Sequence, residues 1–432
     1  MTTSVKILHM AENGRTVKVS IGKKDFTTPT RAVTHRELEK FSYLVANHVS
    51  RQDFASVDSP PCEVQETVLD FHDSDVAALT SRNEVLGQRT YAISSRNRNG
   101  NSRIKICNIL LRSQNEAIPD RAIEFMTIMQ IKPRCLDIVT VPDPNYRHAD
   151  PDMLLAAIDT AQKTLNGYGF DYLPIMPHLD LATQPVALQA RLRALIDAGC
   201  NCIAFRYRPY AYASMAKVAD TLSDKDIWTH LSDVQKKLPS SPILPQIHIM
   251  PYFSFDTISS YKYPPGVRAS RQPEEVLPIV AERSDPGGGR GGIVRSDDGQ
   301  VVTPIQDSRR TLENETRFDS SALGFLTRRQ HRQLLGESLN CNCFLCRGMD
   351  IDGFYDEYGM IDGRPARAKL RLHQEVHEIY ASHSEFKLVQ ERLKDCSYTD
   401  YLWEKPVVQR YTTSIPGING QSRLDRFSQS SA

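Results

Sequence analysis

The sequence predicts an α/β fold, a (β/α)8 barrel of the TIM type with a zinc-binding subdomain near the C-terminus, on three observations. From about residue 104, short and nearly all-apolar segments alternate with segments of helical spacing, the pattern of a parallel sheet covered by helices. The chain has 432 residues, enough for a barrel of about 250 residues plus appendages. Three cysteines, Cys341, Cys343 and Cys346, fall close together after the alternating region.

Taken in order, residues 1–30 read as a β-hairpin entrance. Residues 34–50 have helical spacing, with Thr34 as N-cap and Glu37 completing a capping box. QDFASVDSPP reads as a short strand stopped by two prolines. Residues 87–112 hold two β-like runs around the basic turn SSRNRNGNSR. Then IKICNILL is a strand, PDRAIEFMTIMQI a helix, and CLDIVTV a strand that stops at PDPN. DPDMLLAAIDTAQKTL is a helix with Asp150 or Asp152 near its start. DYLPIMP is a strand, PVALQARLRALIDAG a helix ending on Gly199, and CNCIAFRY a strand. SDVQKKL ends a helix, and ILPQIHIM is the strand after it. Residues 264–300 are rich in Pro and Gly and break the rhythm. Residues 1–338 are therefore assigned to the barrel, 339–410 to the zinc subdomain and closing helices, and 411–432 to a flexible polar tail.

Composition limits the function. Lys+Arg 53 against Asp+Glu 52 leaves a net charge of +1, which excludes a polybasic binder. No run reaches the roughly 18 apolar residues of a membrane span. The first residues carry no secretory pattern, and nine cysteines without one point to a reducing cytoplasm with thiols free for metal. Between 281 and 335 there are nine Arg, no Lys and eight acids. Arg without Lys suits forked contacts to phosphate or carboxylate; a solvated mixed surface is the plain alternative.

Cys341, Cys343 and Cys346 can converge on one ion, because a tight turn brings three thiols together and zinc takes four N/S ligands. His373 or His377, on the following helix, supplies the fourth. A closed set of this kind is structural rather than catalytic. Cys200 and Cys202 lie in an apolar strand and read as core.

C-x-C-x-x-C followed by His resembles the zinc subdomain of tRNA-guanine transglycosylases, at the spacing that selects His373. Leu136-Asp137-Ile138-Val139-Thr140-Val141-Pro142-Asp143 is similar to the strand whose Asp recognises the base in the archaeal-type enzymes. Phe255-Asp256-Thr257-Ile258-Ser259-Ser260-Tyr261 is similar to the segment carrying their nucleophile, and GKKDFTTPT to their opening hairpin. Together these cover most of residues 15–395. The Asp-Ser-Gly-Gly turn of the family is absent; Asp58, in Val57-Asp58-Ser59-Pro60-Pro61, is the candidate general base. The pattern most resembles the DpdA-type enzymes, which exchange guanine in DNA for a 7-deazaguanine.

The resemblance implies a displacement at C1′ by Asp256, with ILPQIHIM leading into it. A covalent glycosyl-enzyme and a second displacement by the incoming base follow. It gives Asp137 to the base. His178 is a candidate contact to base or phosphate. Arg206 and Arg208 share a face and either clamp phosphate or pair with nearby acids. Arg96, Arg98 and Arg103 are candidates for the nucleic-acid backbone. The implied cofactor is structural zinc. The implied partners are DNA, with tRNA as alternative, a 7-deazaguanine such as preQ0, and accessory modification proteins. No membrane partner is expected, and no oligomeric state is set. A catalytically silent nucleic-acid-binding paralogue is the competing class.

Overall fold

The computed structural model describes residues 3–11, 14–48, 62–97, 103–112, 117–145, 150–208, 211–234, 255–259, 294–295, 301–302, 312–322 and 324–406. The chain opens with the expected hairpin, an antiparallel sheet of β1 (Thr3–Ala11), β2 (Gly14–Ile21) and β3 (Lys24–Thr27). Eight parallel strands follow: β4 (Thr30–Thr34), β5 (Val64–Phe71), β6 (Ile104–Leu111), β7 (Val139–Val141), β8 (Ile175–Asp180), β9 (Cys202–Arg206), β10 (Trp228–Ser232) and β11 (Thr257–Ile258). Each pairs with its neighbour in sequence, except β6 with β7, and β11 pairs back onto β4. The remaining seam, between β6 and β7, is bridged locally. The Asp137 N–H donates to the Lys105 carbonyl (3.0 Å), and the Thr140 hydroxyl donates to the Cys107 carbonyl. The nearly closed ring is the predicted barrel.

Helices alternate with these strands: α1 (His35–His48), α2 (Asp73–Ser81), α3 (Asn83–Arg96), α4 (Asp120–Ile131), α5 (Pro151–Tyr168), α6 (Pro185–Asp197) and α7 (Tyr212–Leu222). The caps read from sequence form. Glu37 accepts from the Thr34 N–H (2.8 Å), and Asp150 accepts from the Asp152 N–H (2.9 Å). The reading of two β runs over 87–112 is corrected: the first is α3. Its Leu86 and Ile93, seven residues apart, share one helix face and bury beside Leu69 and Phe71. The seventh barrel strand is WTHLS, Trp228–Ser232, which the sequence reading passed over; ILPQIHIM lies outside the described residues.

After the barrel come the hairpin β14 (Thr316–Asp319) and β15 (Gly324–Thr327), then α8 (Arg328–Leu335), the cysteine turn, α9 (Ile351–Gly359), α10 (Arg367–Lys394) and α11 (Tyr398–Glu404). Two-residue strand pairs, β12 (Val294–Arg295) with β13 (Val301–Val302) and β16 (Met360–Ile361) with β17 (Arg364–Pro365), complete the elements among the described residues. The long α10 packs on β4, α1 and the opening sheet, the place of a barrel's last helix. Two ion pairs fix it there: the buried pair of Glu378 with Arg31 of β4 (2.7 Å) and the partly buried pair of Glu375 with Lys40 of α1. Among the described residues, no helix is long and apolar enough to cross a membrane.

The barrel interior changes character along its axis. Side chains alternate in and out along each strand. The inward rows begin apolar, with Val64, Ile104, Ile106, Met176, Ala204 and Trp228 packed on Val17, Val19, Ile21 and Phe26 of the opening sheet. That sheet therefore plugs the N-terminal end. One step further along, the inward residues are Glu66, Asn108, His178, His230, Arg206 and Ser232, all buried.

The plug is locked by one ion pair. Asp256, just before β11, has its side chain 1% exposed. Its Oδ1 accepts from Arg15 Nε (3.0 Å); its Oδ2 accepts from Arg15 Nη2 (2.7 Å) and from the Thr229 N–H and hydroxyl (both 2.8 Å). Arg15 spends its other donors on the carbonyls of Leu222 (2.6 Å), Lys225 (2.8 Å) and Ile227 (2.6 Å). Removing one member of a buried pair strands the other. Arg15→Met should therefore lower the unfolding free energy by about 3–5 kcal/mol, and Arg15→Met/Asp256→Leu by less than the sum of the single changes. Urea titrations check this; a loss below about 1 kcal/mol, the value of an exposed pair, would overturn it.

Candidate active site and metal centre

The C-terminal end of the barrel, where barrel enzymes place chemistry, holds two layers of polar groups. The deeper layer is Glu66, Asn108 and His230. Asn108 Nδ2 lies 3.0 Å from both Glu66 Oε2 and His230 Nε2, and His230 Nε2 is 3.4 Å from Glu66 Oε2. An amide NH₂ has two protons, so this arrangement makes His230 Nε2 the acceptor and puts the imidazole proton on Nδ1. That Nδ1 and Asn108 Oδ1 are buried, with no hydrogen-bond partner among the described residues. His178 stands beside them. Ser232 spends its proton on the Phe205 carbonyl (3.1 Å), so it accepts from His178 Nε2 (2.6 Å). Burial, then the nearby Arg206 and His230, push the His178 pKa down to about 3, so the ring is neutral at pH 7.

Above lies a chain of alternating charges. Asp70 accepts from Arg112 (2.6 Å), Arg112 donates to Asp233 (2.5 Å), and Asp233 accepts from Arg206 (3.3 Å). Arg206 is 3.7 Å from Asp180, which accepts from Arg208 (2.5 Å). Six residues from five strands and their C-terminal flanks are thereby tied across the mouth. Asp233 adopts φ 59, the left-handed region that Asp tolerates better than most residues. Of the alternatives open for Arg206 and Arg208, pairing with acids is the one observed.

His178, Arg206 and Arg208 thus come together, but Asp137 and Asp256 do not join them. Both acids precede their strands and sit at the opposite, plugged end. Asp137 accepts from Lys24 Nζ (2.7 Å) of the opening sheet and from the Lys105 N–H (2.8 Å) at the barrel seam. The expectation that Asp256 follows a strand into the reactive end is corrected: in this structure its oxygens are occupied by Arg15 and Thr229. The physical reason is register, since Thr257 pairs with Thr30 at the start of β4. Arg96 donates to the Val68 carbonyl (3.2 Å), and Arg103 is buried with Nε on Cys62 Sγ (3.0 Å). Arg103 therefore faces the protein interior, and Arg96 is half-buried with one of its donors on the barrel backbone. Asp58 and Arg98 lie outside the described residues. Asp143 holds Arg191 of α6 in a buried two-point pair, both contacts 2.7 Å.

Sequence reasoning missed Glu66, Asn108, His230, Asp180, Asp233 and Arg112. A signal existed for Asn108: it is the polar residue central to IKICNILL, at an inward position of an apolar strand.

The thiol cluster forms, with one correction. Cys341, Cys343, Cys346 and His377 bring their ligand atoms within 4.8 Å of one another. His377 Nδ1 lies 3.6, 3.3 and 3.2 Å from the three sulfurs. A tetrahedral zinc with Zn–S about 2.3 Å and Zn–N about 2.0 Å needs N···S near 3.6 Å. The residues therefore fit zinc. His377 Nε2 donates to the Phe318 carbonyl (2.8 Å), which leaves the Nδ1 lone pair for the metal. His373, the expected ligand, sits one helical turn away. Its Nδ1 is bonded to the Lys369 carbonyl (2.7 Å), and its ring stacks on Tyr358 at 4.0 Å. Cys202 is buried in the barrel core, as read.

No protein-family model and no curated protein matches the chain. Among solved structures, a protein of Coccidioides immitis proposed to be a fructose-1,6-biphosphate aldolase is similar over 60% of this chain and 79% of its own, at 10% identity and a TM-score of 0.32.

Two outcomes follow from these sites. Purified protein should carry about one zinc per chain, lost in Cys343→Ser and His377→Ala and kept in His373→Gln; elemental analysis decides, and zinc retained in His377→Ala would sink the assignment. His178 should make stability depend on pH. Its folded pKa lies below the roughly 6.5 of an unfolded histidine, so its contribution is complete above that value. As pH falls below it, only the unfolded chain takes the proton, and stability drops by up to about 1.4 kcal/mol per pH unit towards pH 3. His383, lowered to about 4 by burial, adds a similar slope. The difference between wild type and His178→Gln isolates His178; parallel curves from pH 6.5 to 4 would refute it.

Proposed function

We propose that this chain is a base-exchange enzyme, a transglycosylase that replaces guanine in DNA with a 7-deazaguanine such as preQ0. The observation that carries the reading is the buried Glu66–Asn108–His230 cluster at the C-terminal end of the barrel. A buried donor or acceptor without a partner costs about 1–3 kcal/mol. The ring N–H of His230 and the amide oxygen of Asn108 call for a ligand offering one acceptor and one donor, as a lactam edge does. The motifs around Asp137, Asp256 and the cysteines add support from sequence.

The attack belongs, on this reading, to a carboxylate inside the barrel, and Glu66 is the candidate. Its oxygen forms a bond to C1′ as the C1′–N9 bond breaks, and guanine leaves as its N9 anion, which takes a proton from solvent. The incoming base then gives up its N9 proton, bonds to C1′ and releases Glu66, so atoms and charge balance over the exchange. The low-dielectric interior favours such charge stabilisation. A nucleotide reaches it only when flipped out or single-stranded. The same chemistry serves tRNA.

One observation favours the silent-paralogue reading: the two acids of the family-like motifs are ion-paired to Arg15 and Lys24 of the plug. Exchange of labelled guanine, run on DNA and on tRNA with zinc-loaded protein, separates the readings. Exchange on DNA is expected, falling by several orders of magnitude in Glu66→Gln with nucleic-acid binding little changed. Exchange on tRNA alone would reassign the substrate. No exchange on either polymer would leave a silent paralogue, and undiminished exchange in Glu66→Gln would move the attack elsewhere.

A further inference from the structure

The thiol cluster touches a buried cation that no motif announced. Three thiolates and one divalent ion leave a net charge of −1 on the site, and a buried net charge is costly unless it is met. Arg317 of β14 meets it. Its side chain is 2% exposed, and its Nη2 donates to Cys346 Sγ at 3.1 Å. The guanidinium is fixed from two other directions. Nη1 pairs with Asp319 Oδ2 (3.2 Å), and the group stands over the Phe354 ring, 5.3 Å from its centre. Asp319 is itself held by the Ser321 N–H (2.9 Å) and lies 3.4 Å from His331 Nε2. The metal ligand His377 bonds to the Phe318 carbonyl, between Arg317 and Asp319 in the same hairpin. One short strand therefore orients the imidazole through its backbone and faces the thiolates through the next side chain.

We propose that Arg317 is a positioning residue for the metal centre: its hydrogen bond and charge orient the Cys346 sulfur towards the shared ligand set, slow the release of zinc, and blunt the reaction of that sulfur with electrophiles. For a sulfur already deprotonated on a metal, sharing an electron pair with a guanidinium donor lowers nucleophilicity, as a lower thiol pKa lowers that of a free thiolate. This inference rests on the fit of the four ligands to zinc and is independent of the base-exchange reading.

The test uses the full-length, zinc-loaded protein. Zinc transfer to a chromophoric chelator is followed with and without N-ethylmaleimide, and the cobalt-substituted protein is followed by its thiolate-to-cobalt absorption. Arg317→Met should release zinc about 10-fold faster or more, the usual effect of an outer-sphere partner, and should shift the cobalt band. Arg317→Lys, which keeps the charge, should recover most of the wild-type rate. Should Arg317→Met fail to fold, Asp319→Asn frees the guanidinium while leaving it in place and should still speed release several-fold. Wild-type release, alkylation and cobalt spectrum in Arg317→Met would overturn the proposal. So would Arg317→Lys releasing zinc as fast as Arg317→Met, or an unchanged rate in Asp319→Asn.

Discussion

A single buried carboxylate carries much of the architecture. Asp256 ties together pieces of chain that are remote in sequence: Arg15 in the opening hairpin, Thr229 in β10, and, through its own carbonyl, the Thr30 N–H at the start of β4 (3.0 Å). A charge in that position is tolerable only because Arg15 meets it with two donors and because the backbone carbonyls around Arg15 absorb the rest of the guanidinium. The hairpin cannot leave without exposing the apolar half of the barrel and stranding both charges. Lys24 and Asp137 repeat the device at the β6–β7 seam, with partly exposed partners.

With one end sealed in this way, the barrel has an apolar half and a polar half, and His230 Nδ1 and Asn108 Oδ1, unpartnered among the described residues, lie in the polar half. That division organises the functional reading more firmly than any motif. The ion chain from Asp70 to Arg208 spans the mouth with three acids and three arginines, so it contributes no net charge. It fixes the strand ends relative to one another, as rigid placement of a reactive centre requires.

The parallel barrel was legible because its strands are short apolar runs between helical segments, as in IKICNILL and CNCIAFRY, and because Thr34 and Asp150 cap where their residue types say they should. The cysteine turn was legible from spacing alone. What escaped was register and reach. WTHLS is too short and too polar to stand out, yet it supplies His230 and Ser232. FDTIS looks alike whether its Asp lies before or within the paired residues; only the ladder with β4 decides, and that is a long-range fact. His373 and His377 lie one turn apart on the same helix, so sequence places both towards the cysteines; the axial position of α10 selects the second. Polar residues at alternate positions of apolar strands, such as Asn108, were visible but carried no motif.

Helix α10 extends 28 residues, about 42 Å at 1.5 Å per residue. Along it lie Arg371 bonded to Glu315, His377 at the sulfurs, Glu378 on Arg31, Glu385 on Lys405, and Gln390 on the carbonyls of Thr27 and Pro29. These contacts point to different bodies, so they depend on angular phase as well as identity. Inserting or deleting one residue mid-helix would turn everything beyond it by about 100°, and no local repair could serve both ends. The length of this segment is therefore under stricter constraint than its composition: descendants of this chain can change many of its letters, but the number of letters between Arg371 and Gln390 behaves as a fixed dimension.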